Sequence, residues 1–427
     1  MMKKITVTIS MILVICMTAG LAAANVEQNT LNNEMAAQMG GRQMHGGEQW
    51  QGGPMGGMQG GMQGGMPGGM QGGAQNVSDT PGEVVLSTAV NTAAGLTADM
   101  NNAETIVMSD SNSQVEIEEA GTYIITGSAS DGNIKVKKGT TGVVLVLQDL
   151  DLTSTTGACV SVNKEASAKI IISGTVTLTD DENPADETSA DAAVADAFDG
   201  AVIKVKANAS LSITGDGTLN VFGKAKNGLK AGDDSSLIID GPTLNVAAAN
   251  DAFNANYDLT FLSGTIAVYA NDDALHAEHI LTIGSEDGSG PVIYIQNCSE
   301  GLEATVVNIL GGDITINSTD DAINAANKDG LYTGVLTYSV NQLGGNVTVN
   351  SNGDGYDSNA NINLIGGSAA ISSRMNGGEA GIDYDGQYYI SDDFSLNNNS
   401  GISGPDNFGG MQGGQQGGWG MPGGWGK

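Results

Sequence analysis

The sequence predicts an all-β chain: a parallel β-helix, or solenoid, with a capped N-terminal side and flexible Met/Gly/Gln-rich tails. Three observations predict it. Short alternating segments rich in Val, Ile, Leu and Thr, such as "AKIIISGTVTLT", "ASLSITGDGTLNVFG" and "YDLTFLSGTIAVYA", break at Gly and read as strands. A phrase built on acids or amides recurs, aligned on Asn227, Asp251, Asp273, Glu300, Asp321 and Asp354, at steps of 24, 22, 27, 21 and 33 residues. A step in the low twenties enclosing two or three strands marks one solenoid coil per repeat. No long amphipathic helix interrupts the pattern, and the acidic insertion at 185–198 is the one candidate for any helix.

The elements follow in order. Residues 1–24 carry two lysines, an apolar run from Ile5 to Met17 and a small-residue exit at Ala22 to Ala24, which is the pattern of a secretory signal peptide. Ile15 is too bulky for Cys16 to serve as a lipoprotein anchor. No second long apolar run follows, so no membrane span is expected. Residues 25–80 are a low-complexity linker, dominated from 39 to 75 by Met, Gly and Gln, with almost nothing to build a core. The β-helix is expected over 81–400. Within it, 81–130 lacks the acidic phrase and is expected to cap the first coils, and the last unit, "GGEAGIDYDGQYYISDDFSLNNNSG", is expected to cap the other end. Residues 401–427 repeat the Gly/Met/Gln composition of the linker, and all three tryptophans, Trp50, Trp419 and Trp425, lie in these tails. A flexible spacer, self-association, adhesion to a surface and capture of soft metals by thioethers all fit such tails.

The formal charge is -32, and becomes -34 once Lys3 and Lys4 leave with the signal. That excess argues against nucleic acid or an anionic membrane as partner, and favours a cation-loaded protein outside the cell or on its surface. Cys159 and Cys298 are far apart and not at equivalent places in the repeat, so free, buried thiols are expected.

Stacked coils place equivalent residues above one another. Leu229, Phe253, Leu275, Leu302, Ile323 and Tyr356 are then an inward ladder, and their successors Lys230, Asn254, His276, Glu303, Asn324 and Asp357 an outward polar one. The small residue that follows, from Ala231 to Ser358, suits a crowded inner corner.

With these pieces in view, "AGTYIITGSASDGNIKV", "LVLQDLDLTSTTGACVSV", the acidic phrase followed by "LTFLSGTIAV" or "VNILGGDITIN", and "AGIDYDG" together resemble the secreted bacterial carbohydrate-binding β-helix family, typed by a D-G-I-K-S coil. The resemblance runs from about residue 104 to about residue 400. It implies a right-handed parallel β-helix, similar in shape to pectate lyases, with calcium at acidic turns and plant cell-wall polysaccharide, cellulose or pectin, as partner. The family's coil matches "NDAFNA", "DDALHA", "SEGLEA", "DDAINA" and "GDGYDS". Its Gly is Ala at 252, 274 and 322, and its Lys becomes Asn254, His276, Glu303 or Asn324, so the outward ladder assigned to carbohydrate is less basic than the family pattern.

Asn250, Asp251, Asp272, Asp273, Glu300, Asp320, Asp321 and Asp354 are the expected calcium ligands. Stacking them at one corner brings like charges within about 5 Å, a repulsion that a bound cation removes, and calcium accepts carboxylate and carbonyl oxygens freely. Solvated Asp/Asn turns are the plainer reading of the same residues. No EF-hand loop or glycine-rich nonapeptide array is present. His276 and His279 lie an odd number of residues apart on a strand, hence on opposite faces, so the pair is not expected to hold zinc. A calcium-dependent lyase is the catalytic alternative, with Lys230, Lys328 and Arg374 as the basic candidates. The leaning is toward non-catalytic binding. A structural surface protein assembling through its tails is a further alternative. Without Trp in the folded part, Tyr257, Tyr269, Tyr294, Tyr332, Tyr338 and Tyr356 are the candidate sugar platforms.

Overall fold

The structure is a computed structural model, and it describes residues 77–155, 157–180, 200–326, 336–374 and 379–405. The signal peptide, the linker up to residue 76, the acidic insertion, Lys328, Tyr332 and residues 406–427 lie outside these. The described residues form an all-β parallel solenoid of about ten turns, with no helix. Every strand-to-strand pairing within it is parallel and joins one coil to the next, as a single-chain solenoid requires.

Each coil contributes a rung to three faces. On the first face the strands Asn227–Ala231, Phe253–Ala255, Leu275–Ile283, Leu302–Ile309, Ile323–Ala325 and Tyr356–Ser358 pair in succession. The register is the expected one: Leu229, Phe253, Leu275, Leu302, Ile323 and Tyr356 are neighbours and fully buried. Burying one such side chain is worth about 1.5–3 kcal/mol, so the stacked rungs supply the main drive to fold. Phe253 meets Phe261 edge to face at 5.0 Å, turning the core from the first face to the second. The strict alternation of "NVTVNS", exposed and buried by turns, shows the same period on the third face.

The corner between the second and third faces needs glycine. Gly264 (φ +109°) and Gly367 (φ +91°) adopt left-handed backbone, and a Cβ there would lie 2.5 Å from Pro242 O and 2.2 Å from Gly345 O. The coil below leaves no room for any other residue.

The unit expected to cap the far end is itself a coil. Ile382–Tyr384 pairs with Tyr356–Ser358, Tyr388–Ile390 with Asn361–Leu364, and Ser395–Asn398 with Ser368–Ser373. The stretch 81–130, expected as one N-terminal cap, divides in two. From Glu104 onward it already forms coils, the strand Glu104–Met108 pairing with Gly121–Ala129 and Gln114–Ile117 with Asn133–Val136.

Residues 77–102 instead form an extended strap along the outside of the second face. Ser78 donates to Tyr388 O (2.7 Å), Gly82 N–H to Asn363 Oδ1 (2.7 Å), Asn91 Nδ2 to Ser236 O (3.1 Å) and Asp99 N–H to Thr122 Oγ1 (2.9 Å). These partners descend from the last coils to the first. The strap thus runs against the direction of stacking, and residues 77 and 405 lie at the same end of the solenoid.

Beneath it, Asn308, Asn341 and Asn363 stack with no exposure at all. Asn363 Nδ2 donates to Asn341 Oδ1 (2.7 Å), Asn341 Nδ2 to Asn308 Oδ1 (2.9 Å) and Asn308 Nδ2 to Val85 O (2.8 Å). The amide chain begins and ends on strap backbone, which satisfies groups whose burial would otherwise be costly. We expect Asn341→Ala to cost about 2–4 kcal/mol, since it orphans a buried donor and a buried acceptor together. A lower Tm, with faster amide exchange at Gly82, checks this; unchanged exchange at Gly82 would show that the strap does not depend on the amide chain.

Candidate functional site

The acidic phrase lies at the turn that leads into the first face. Its backbone stacks as expected: Gly228 N–H bonds to Asp251 O, Ala252 N–H to Asp273 O, Ala274 N–H to Glu300 O, Gly301 N–H to Asp321 O and Ala322 N–H to Asp354 O, at 2.9–3.1 Å. Side chains reinforce the stack, because Asp251 N–H donates to Asn227 Oδ1 (3.3 Å), Asp273 N–H to Asp251 Oδ1 (3.1 Å) and Asp354 N–H to Asp321 Oδ1 (2.6 Å). Asp354 in turn accepts from Ala380 N–H. Asp251, Asp321 and Asp354 therefore each hold the coil that follows, while Asp273 turns its carboxylate to His276. Glu300, one methylene longer, is absent from that pattern and accepts instead from Asn324 Nδ2 (2.9 Å).

The outward ladder keeps its expected register: Lys230, Asn254, His276, Glu303, Asn324 and Asp357 are successive rungs. It also extends further than the acidic phrase does, through Lys135, Ser161 and Lys204 on one side and Asp383 on the other. Its side chains are not splayed into solvent. Glu303 and Asn324 are 8% exposed, Lys230 bonds to Asn254 and to Asn256 Oδ1 (2.7 Å), and Asn254 donates to Asp251. One outward side chain per short strand, flanked by the acidic turn, makes a narrow polar seam in place of a broad platform.

Seam and turn converge into groups whose donor atoms lie within 4.8 Å of one another: Asp251 with Asp272 and Asp273, Asp273 with His276 and Glu303, Asp321 with Asp354 and Glu379, and Asp354 with Asp357 and Asp383. Five expected calcium ligands, Asp251, Asp272, Asp273, Asp321 and Asp354, fall in these groups. Two other acids do not: Asp320 is exposed and Glu300 is engaged by Asn324, while the amide of Asn250 donates to Asn227 Oδ1 (3.2 Å) and keeps its own oxygen for a ligand. The structure adds Glu379 and Asp383 from the last full coil, and brings in His276, Glu303 and Asp357 from the ladder that had been assigned to sugar. "AGIDYDG" held the missing signal: aligned on Ile382 as the next inward rung, it places Asp383 directly after Asp357.

Burial and mutual repulsion dominate the electrostatics. Burial, opposed by the Ala380 N–H and aided by Asp321, Asp383 and Glu379, pushes Asp354 up to about 7. Burial together with Asp321, Asp354 and Asp383 raises Asp357 to about 7, and burial outweighs the Asp354 N–H to raise Asp321 to about 6. Burial and the neighbouring Glu303 raise Glu300 to about 8. These oxygens need protons or a cation between them. At His276, burial pulls the imidazolium down, but the carboxylates of Asp273, Glu278 and Glu303 carry it well above its usual value.

The histidines separate, though not by simple alternation: the register shifts between Ala277 and Ile280, and both rings stay partly exposed. His276 joins the acidic corner, while His279 bonds to Asp258 and stacks on Tyr257 at 4.4 Å. Ser87 of the strap also bonds to Asp258, so the acid stands between serine and histidine and the hydroxyl donates to the carboxylate in place of the imidazole. Of the basic residues weighed for catalysis, Lys230 is engaged by amides and Arg374 is exposed. Tyr356 is in the core, its hydroxyl donating to Gln342 Oε1 (2.8 Å). Tyr269 and Tyr294 are half-buried between buried neighbours and face outward on the third face, with Phe222 two rungs before Tyr269. Cys159 and Cys298 are free and buried, and burial raises both thiols.

No helix of the described residues is long and apolar enough to cross a membrane. No curated protein matches the chain. Among solved structures, a polysaccharide lyase-like protein from C. thermocellum, in its gadolinium derivative, is similar at 19% identity and a TM-score of 0.38, over 70% of this chain and 99% of that one. The model of the carbohydrate-binding domain-containing proteins matches residues 111–378, which take in the stacked acidic turns and nearly all of the outward ladder, and the chain belongs to that family.

Proposed function

We propose that this protein, secreted or held at the cell surface, binds plant cell-wall polysaccharide without cleaving it, with calcium seated at the acidic corner of its last coils. The observation that carries the reading is the convergence of Asp321, Asp354, Asp357, Glu379 and Asp383 into two groups that share Asp354. The donor set fits calcium, being all oxygen and able to offer the six to eight ligands that ion takes. Beside it, Asn324 Oδ1 is buried and accepts no hydrogen bond, on the rung next to Asp357. These residues would hold the ion, and the ion would neutralise the corner and offer remaining positions to sugar oxygens.

Family membership supports carbohydrate as the ligand class. A uronate polymer is the form of it that suits this corner, because a strongly anionic protein holds a polyanion only through divalent cations. The outward rings of Tyr269 and Tyr294 favour a second reading, a neutral chain such as cellulose stacked on the third face. Catalysis has less support, since the ammonium of Lys230 is already shared between two amides.

Pull-down on polygalacturonate should succeed with calcium and fail in EDTA, with no rise in the ultraviolet absorbance of an unsaturated product. Rising absorbance would make the protein a lyase; binding unchanged by EDTA would remove calcium from the reading. Retention on cellulose alone, lost on mutating Tyr269 and Tyr294 to Ala, would move the site to the third face.

The raised carboxylates give a pH dependence with a definite sign. Their folded values, about 6 to 8, stand above the ordinary carboxylate values of 3.8 and 4.5, so the fold binds protons that the unfolded chain releases. In EDTA, stability should be greatest below about pH 4 to 5 as far as these groups are concerned, and decline as pH rises through about 8. Calcium should therefore raise Tm more at pH 8 than at pH 5. Asp354→Asn should raise the Tm of the calcium-free protein at pH 8 and blunt its response to calcium; a calcium response equal at both pH values would show that these acids do not carry it.

A further inference from the structure

The middle of the acidic corner differs from its C-terminal end by containing an imidazole. His276 and Glu278 lie two residues apart on the strand Leu275–Ile283 and reach the same side, and Glu303 is the rung after His276 on the next coil. His276 Nδ1 lies 3.1 Å from Asp273 Oδ2 and 2.6 Å from Glu303 Oε2, while Nε2 lies 3.2 Å from Glu278 Oε1. One ring nitrogen is thus flanked by two carboxylates and the other is held by a third.

We propose that His276, Asp273 and Glu303 form a site for a first-row transition metal such as zinc, with Glu278 as its positioning residue. A carboxylate on the far ring nitrogen fixes the tautomer with the proton on Nε2, which leaves the Nδ1 lone pair aimed at the two other acids; this is the usual outer support of a metal-bound histidine. A lone pair facing carboxylate oxygens is repulsive unless a proton or a metal ion lies between them, and a metal would take the place of the proton that these acids otherwise hold on Nδ1. Imidazole nitrogen favours zinc, cobalt or nickel, whereas calcium prefers oxygen alone and more of it. Ligands of a tetrahedral zinc stand about 3.3 Å apart, so Asp273 is already placed and Glu303 withdraws by less than about 1 Å. Side-chain exposures of 11–14% at His276, Asp273, Glu278 and Glu303 leave a path for the ion and room for a water in the fourth position.

The proposed site needs only one of the two histidines, because its other ligands come from Asp273 in the turn and Glu303 in the following coil. One corner then sorts two kinds of cation: oxygen-only toward its end, mixed nitrogen and oxygen in its middle.

The test is titration of the full chain with Co²⁺ in excess Ca²⁺, following the visible d–d absorbance. One equivalent should develop a band that zinc abolishes. His276→Asn, which copies the residue found one coil before at Asn254 and two coils after at Asn324, should lose it, and Glu278→Gln should weaken binding by about 10–100-fold. Asp354→Asn should keep the band, and His276→Asn should keep the calcium response, which separates this site from the proposed calcium site. A band unchanged in His276→Asn would place the ion elsewhere, and no band in the wild-type protein would leave His276 as a protonated counter-ion; either overturns the proposal. Should His276→Asn not fold, nitrogen NMR of the wild-type imidazole decides: zinc must shift Nδ1 while Nε2 keeps its proton.

Discussion

Parallel, in-register stacking is the constraint on which the rest of this molecule depends. Each coil hydrogen-bonds to the next at a spacing of about 4.8 Å, so every side chain meets its counterpart from the neighbouring repeat. The chain cannot choose partners freely. Apolar rungs gain from this, and the unbroken run from Leu229 to Tyr356 is buried without a gap. Polar rungs gain or lose according to whether a group can both donate and accept.

The contrast between two ladders shows that rule at work. Asparagine carries a donor and an acceptor, so Asn308, Asn341 and Asn363 chain together in full burial and end on the strap. Aspartate only accepts when ionised. The acids at the corner solve part of the problem by taking the N–H of the next coil, as Asp251 and Asp321 do, but that leaves charge stacked on charge. The remainder is met by protons or cations, which is why a purely structural repeat can become a binding corner.

Along the outward ladder the charge changes in order. Lys135, Lys204 and Lys230 occupy early rungs, Asn254 and His276 the middle, and Glu303, Asp357 and Asp383 the later ones. Lysine in the early coils takes the place that a metal would hold in the later ones. His276 stands at the change of sign, with three carboxylates around one ring. Its position in the gradient gives the corner two chemically distinct segments.

Much of the fold was legible from the sequence because solenoid contacts repeat it. The alignment of Leu229, Phe253 and Leu275 is itself a map of who touches whom, and the outward register follows from strand alternation. Glu379 and Asp383 were missed because the last phrase has Ala380 where earlier coils have an acid. Lys135 and Lys204 were missed because their coils lack the acidic phrase, although "NIKV" and "VIKV" echo "GLKA". What the sequence by itself determined, then, is the inside of the coils and the register of the seam, since both follow from a local period. Only the tertiary structure decided that residues 77–102 would lie along the second face, and that Asp273, His276 and Glu303 would share one nitrogen. Those contacts join parts of the chain with no common period, through backbone groups and side-chain rotamers that pattern does not encode.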